Sequence, residues 1–267
     1  MNYFCAGSEI DPDRSKNQNT ILMKKIVVVT CFFALAFSLR AQNDIRFGFQ
    51  ASPTFGWMNA KVNHINTSGT NLGLKLGMIG EYYFRENYAF TSGIGFFFNA
   101  GGGLLYDYPG KYLPNSDLPP AYDSLGAMSK IRYHIQYIEI PAGLKLKTRE
   151  FGYWRYYFEP AITIGIKSQA RGQLEGIGIQ DGEDKYNIRK EVNGLNLSWG
   201  IGAGAEYSIS ENTSLVVGAA FQIGFTDATD DDKDKVYYPD PNSPGLSKKE
   251  DSKASVYGIT LRLGVMF

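Results

Sequence analysis

The chain has 267 residues, enough for one large domain or two small ones, and its 27 Lys and Arg against 27 Asp and Glu give a formal net charge of zero. With no basic stripe, nucleic acid is excluded as a partner. Aromatics make up 14% of residues and there are 30 glycines, a mixture that suits strands and tight turns better than helices.

Residues 1–22, rich in Asn, Asp and Ser, read as an extension upstream of the true initiator, Met23. From there Lys24 and Lys25, an apolar run over 26–39 and the small Ala41 form a secretory signal over 23–41, leaving 42–267 as the mature domain. Cys31 follows Thr30 rather than a small residue, which argues against lipid anchoring. Cys5 and Cys31 both fall in the removed part, so the mature chain carries no thiols for a disulfide, a metal site or a nucleophile.

Residues 45–58 alternate loosely, with Phe47 and Phe49 on one parity and Pro53 at a bend or bulge; 59–70 is polar and reads as a loop. Leu72, Leu74, Leu76, Met78, Tyr82 and Phe84 then share one face, opposite Asn71, Lys75, Glu81 and Arg85. Lys75 and Glu81 cannot face hydrocarbon, so the even face looks outward. After a turn at 85–87, Tyr88, Phe90, Ile94, Phe96 and Phe98 form a third face. Residues 100–129, with four prolines, read as an exposed loop. Within 130–147 the apolar parity changes near Tyr137, which predicts a bulge there or a rim portion above the membrane. Trp154, Tyr156, Phe158, Ile162, Ile164 and Ile166 make a fifth face, and 168–191 is a long polar break. Alternation resumes from Leu195 to Tyr207, again from Leu215 to Phe225, and finally from Tyr257 to Phe267, where the chain stops on an aromatic that serves as the expected assembly signal.

Alternation alone would also fit an amphipathic sheet over a soluble core. Eight strands whose connections sort into short and long alternately fit an outer-membrane barrel better, because soluble sheets have no reason to sort loops by length. The expected fold is therefore all-β, an eight-stranded antiparallel transmembrane β-barrel with long external loops, closed because hydrocarbon tolerates no unpaired backbone. Eight strands leave an interior that side chains fill. Its expected charge network is Lys75, Glu81, Glu139, Lys145, Arg155, Glu159, Lys167, Glu206 and Arg262, read as internal salt bridges that plug the lumen; the alternative is an ion path or a pair of catalytic carboxylates. Tyr82, Tyr88, Trp154, Tyr156, Trp199, Tyr207, Phe225, Tyr257 and Phe267 fall near strand ends, as interfacial girdles do.

Catalytic motifs are missing from the loops. His64 and His134 are the two histidines, and Ser124 and Ser129 lie in the loop beside His134 without a motif around them. Asp230, Asp232 and Asp234 have the spacing of the start of a calcium loop, but Lys235 replaces the required Gly and no Glu closes it. No catalytic, cofactor or metal site is expected, and the loop over 226–254 reads as mixed-charge and mobile.

On the segment YIEIPAGLKLK (137–147), the signal ending in Ala41 and Gln42, GAGAEYSISEN (202–212) and the aromatic terminus, the chain resembles the PorT-like outer-membrane β-barrel family over 45–267. The resemblance implies insertion into outer-membrane lipid through the barrel-assembly machinery, with no catalytic residues to carry over. One namesake of the family is an accessory factor of type IX secretion. The expected function is non-enzymatic, structural or accessory, engaging protein partners in secretion or envelope assembly; the alternative is a small barrel that binds a surface ligand or passes ions.

Overall fold

The computed structural model describes residues 45–267 except 177, 178, 180, 181, 183, 231–233, 239–247, 250 and 251, so the expected extension and signal lie outside the described residues. Period-two patterning becomes eight long strands: β1 (Ile45–Ala60), β2 (Ile65–Arg85), β3 (Tyr88–Ala100), β4 (Ser129–Lys147), β5 (Trp154–Glu175), β6 (Leu195–Ser208), β7 (Ser214–Gly224) and β8 (Ala254–Met266). Each pairs antiparallel with the next, and β8 pairs back with β1, placing Val265 opposite Phe49. At that seam Phe47 and Phe267 exchange backbone hydrogen bonds of 3.2 and 2.7 Å. The eight strands thus form a ring in which every long strand has two neighbours, the arrangement a hydrocarbon environment requires.

Connections 86–87, 148–153 and 209–213 lie at one end of the ring, and 61–64, 101–128, 176–194 and 225–253 at the other. The outward face between them is apolar and uncovered: Phe47, Leu72, Ile162 and Val217 leave 59, 63, 57 and 52% of their surface exposed. A belt of such residues round the whole ring is far larger than the patches of a few hundred Å² that soluble monomers expose, and at about 25 cal/mol per Å² it is unfavourable in water. Lipid is the solvent that fits it. Near one end Trp154 packs tilted against Tyr207 at 4.9 Å and Phe84 against Tyr88 at 6.1 Å; near the other Trp57 meets Tyr257 at 6.1 Å and Phe221 at 6.2 Å.

Three local expectations are sharpened or changed. The loop expected over 59–70 shrinks to 61–64, because Met58, Asn59 and Ala60 pair with Val256, Ser255 and Ala254, and Ile65 with Tyr106. Polarity there marks strand that has left the hydrocarbon. The parity change expected in 130–147 marks a rim portion, and the strand itself does not turn over: odd positions of β4, from Ile131, Tyr133 and Ile135 down to Glu139, Lys145 and Lys147, are buried, all but the half-buried Pro141. The chemistry of the two faces inverts instead. Above Tyr137 the outward residues are Lys130, Arg132, His134 and Gln136 over an apolar interior; below it they are Ile138, Ile140, Ala142 and Leu144 over a charged one. The expected irregularity sits at that height, where Ser168 of β5 is the extra residue between the pairs Gln136–Gln169 and Tyr137–Lys167.

The third change concerns the loops, which fold. β3 turns at Asn99 and Gly101, both at positive φ, where a Cβ on Gly101 would lie 2.6 Å from the Tyr133 carbonyl oxygen; the chain then continues as Gly102–Tyr106 between β2 and β4. Leu113, Leu125, Ile188, Val192 and Ala228 of the loops join Met58, Ile131, Tyr133 and Ile135 of the strands in one buried apolar cluster. Outside it, Val236–Tyr237 pairs with Lys248–Lys249 and with Gly110–Lys111. The described parts of these loop segments pack together over this end of the ring as a lid.

Candidate functional site

Inward parity places acids and bases from different strands at three heights in the lumen. Lowest, near the short turns, Lys145 Nζ lies 2.5 Å from Glu81 and 2.6 Å from Glu206, and Lys147 Nζ lies 2.8 Å from both. The four side chains are almost wholly buried and their charges cancel. Tyr83 donates to Glu81 and touches Lys147, while Arg46 stands 3.6 Å from Glu206 and donates to Ser214 Oγ at 2.8 Å. Above them Arg262 bonds Glu159 at 2.8 Å. Higher still, Lys75 donates to Glu139 at 2.7 Å and to Gln222 at 2.6 Å, and sits 4.4 Å over the Phe97 ring. The apolar cluster with its Tyr106–Tyr133 hydroxyl pair at 2.9 Å closes the lumen above.

Of the residues singled out in the sequence, Lys75, Glu81, Glu139, Lys145, Glu159, Glu206 and Arg262 therefore meet inside the ring. Two do not. Arg155 pairs with Glu150 of the neighbouring turn at 2.8 Å, both 38% exposed, because it sits one residue into its strand and reaches the rim. Lys167, beside the bulge at Ser168, donates to the carbonyls of Arg189 and Val192 and so holds a loop rather than a carboxylate. Sequence reasoning missed Lys147, Arg46 and Tyr83. Lys147 shares the parity of Lys145 two residues earlier, which is the signal that could have found it.

Between the ion pairs lies a cavity of about 70 Å³, lined among others by Gln50, Thr91, Thr163 and Thr260. It has room for a few waters and no more.

The lid has its own buried pair. Glu191 lies 3.1 Å from Lys235, with side chains 0 and 3% exposed; it also accepts from the Asn115 amide at 2.5 Å, and its carbonyl accepts from the Asp230 amide at 3.0 Å. One carboxylate thereby joins three loops. Asp227 Oδ1 accepts from Thr229 N, Thr229 Oγ1 and Ala254 N at 3.0, 2.8 and 3.0 Å. Of the aspartates spaced like a calcium loop, Asp232 lies outside the described residues; among those described, no His, Cys, Asp and Glu group is placed to hold a metal. The ring nitrogens of His134 face Asn99 Oδ1 at 2.5 Å and Gln173 Oε1 at 3.3 Å, and Ser129 Oγ donates to the Gly126 carbonyl at 2.8 Å, so this pair is not arranged as nucleophile and base. His64, 4.7 Å from the Tyr237 ring, has its imidazole held below its ordinary value by burial, partly offset by Asp107. Lys111 is raised by its hydrogen bond to Asp123, 2.8 Å long.

A family profile described as outer membrane protein beta-barrel domain matches residues 39–230. No curated protein matches the chain. Among solved structures, Neisserial surface protein A is 12% identical, covering 84% of this chain and 96% of its own, with a TM-score of 0.42. A major outer membrane protein from Thermus thermophilus is 14% identical, with coverage of 84 and 98% and a TM-score of 0.42. OprG from Pseudomonas aeruginosa is 10% identical, with coverage of 83 and 95% and a TM-score of 0.37.

Proposed function

The chain belongs to the family of outer membrane protein beta-barrel domains, and from that premise we propose that it is a non-enzymatic barrel whose folded lid engages a protein partner in secretion or envelope assembly, the kind of role that one namesake of the PorT-like family it resembles has. One observation carries this reading: among the described residues, the lumen is filled from its lower rim to the lid by ion pairs and then by apolar side chains, with small cavities of about 70 and 20 Å³ among the ion pairs. A solute path would need an open bore, so the accessible working surface is the lid. That surface offers Tyr108 and Tyr238, 39 and 44% exposed, next to the stacked ring of Tyr237, 5.7 Å from Tyr108; tyrosines of this kind give a large contact area at small entropic cost.

Crosslinking mass spectrometry on native envelopes tests it. The same envelope protein should be captured reproducibly through the lid, and the double substitution Tyr108→Ser with Tyr238→Ser should lose it while the barrel stays folded. Recovery of identical partners from a barrel with no lid would refute the reading, as would stepwise conductance in planar bilayers.

A further inference from the structure

Above the apolar belt, the outward faces of β4 and β5 are basic. Register places Arg132, Gln173 and Lys185 in one row across β4, β5 and the short strand Lys185–Asn187, with His134, Arg171 and Asn187 in the row below. Gln136 and Gln169 follow, and then Ile138 and Ile166 of the belt. The corresponding stretch of β2 presents Asn66, Ser68 and Thr70, all uncharged.

Arg171 and Lys185 are exposed and Arg132 retains 31% of its side-chain surface. Glu175 bonds Lys130 at 2.9 Å and stands 3.8 Å from Arg132, and Asp184 adjoins Lys185 in sequence. Even so, among the described residues Lys130, Arg132, Arg171 and Lys185 outnumber Glu175 and Asp184 on this face. Gln173 anchors the centre, accepting from His134 at 3.3 Å and donating to the Gly182 carbonyl at 2.5 Å. With strands rising about 3.3 Å per residue at a tilt of about 40°, His134 and Arg171 stand about 10 Å above Ile138 and Ile166. Long basic side chains at that height bring their charges down into the head-group layer, about 5–7 Å thick, while their stems cover apolar surface.

We propose that this patch holds the phosphate of an anionic lipid of the outer leaflet, gripped by the guanidinium groups of Arg132 and Arg171 and the ammonium of Lys185, with the acyl chains lying along Ile138, Ile140, Ile164 and Ile166. Guanidinium forks match phosphate oxygens two at a time, and a low-dielectric border strengthens the pairing. The proposal rests on outer-membrane placement alone and is independent of the partner assigned to the lid.

Native mass spectrometry of the detergent-solubilised protein provides the test, with three probes: bis-phosphorylated lipid A, the same lipid stripped of phosphate, and inorganic phosphate. The phosphorylated lipid should bind in preference to the stripped one. The triple variant Arg132→Gln, Arg171→Gln, Lys185→Gln should weaken that binding by roughly tenfold or more while keeping the fast mobility of a folded barrel on unboiled gels. If the triple variant does not fold, the single Arg171→Gln should still weaken binding several-fold, since its side chain is exposed. Equal binding of the two lipids, or binding unchanged by substitution in a folded variant, would overturn the proposal. Displacement of the lipid by millimolar inorganic phosphate would reduce the site to a free-anion pocket and overturn the lipid assignment.

Discussion

Lys147 shares two carboxylates with Lys145, so each lysine has half of the pairing that Glu81 and Glu206 require. Replacing Lys147 by Met strands negative charge inside a closed lumen, where breaking a buried pair costs about 3–5 kcal/mol. The urea midpoint of the barrel in detergent micelles, followed by the gel shift between folded and boiled protein, should fall accordingly. Adding Glu206→Gln should cost much less than a second full penalty, since charge balance is restored. His64 gives a prediction of opposite character. Its imidazole is depressed in the folded lid, so the folded state resists the proton that the unfolded loop accepts below its ordinary value of about 6.5. The lid is therefore unaffected at neutral pH and loses local stability as pH falls through that value. Hydrogen exchange should speed up at the Asp107 amide, which bonds the His64 carbonyl at 3.1 Å, and His64→Phe should remove the pH dependence. In the sequence the lumenal acids and bases were legible because alternation fixes which way a residue points. Their pairings were not, since distance across the ring depends on register and side-chain reach. Arg155 shows the difference: correct parity, one residue into the strand, and a partner in the turn instead of the lumen.

On β4 a single strand passes from lipid to water without altering which positions face in. The sequence shows this as apolar residues that switch parity at Tyr137, which hydrophobicity alone leaves open between a bulge and a rim portion. The backbone keeps its phase because the solvent changes on both sides at once: lipid gives way to water outside, and a charged lumen gives way to an apolar core inside. Lysine placed at Leu144, in the belt, should cost about 2–4 kcal/mol in lipid vesicles, and at Gln136, above it, less than about 1 kcal/mol; equal costs at the two sites would contradict that boundary. The strands themselves were legible because each carries its own alternation. The lid was not, since prolines and charges in 101–128 and 225–253 look the same whether a loop is solvated or packed by a carboxylate from a distant segment. Glu191 is that carboxylate. Its substitution by Gln should make the loops more susceptible to protease while unboiled gel mobility of the barrel is preserved, because the long ring strands do not depend on it.

At the scale of the whole molecule, ring, lumen and lid divide the work among three solvents. Lipid covers the belt, ion pairs and apolar side chains fill the bore, and the lid faces the exterior. A barrel so filled should show no channel steps in planar bilayers, and opening a bore should require removing charges in balanced sets, since any single removal destabilises the fold before it widens the path. The seam between β1 and β8 adds a temporal constraint. Its bonded partners, Phe47 and Phe267, are among the residues farthest apart in the described chain, and joining such distant segments carries the largest loop-closure entropy of any pairing in the ring. Neighbouring hairpins can zip locally, whereas this contact must wait for all of them. Until it forms, the sheet has two open borders that can adhere to other chains, so a lesion at either margin should be read out as slow, aggregation-prone maturation more than as a weaker finished product.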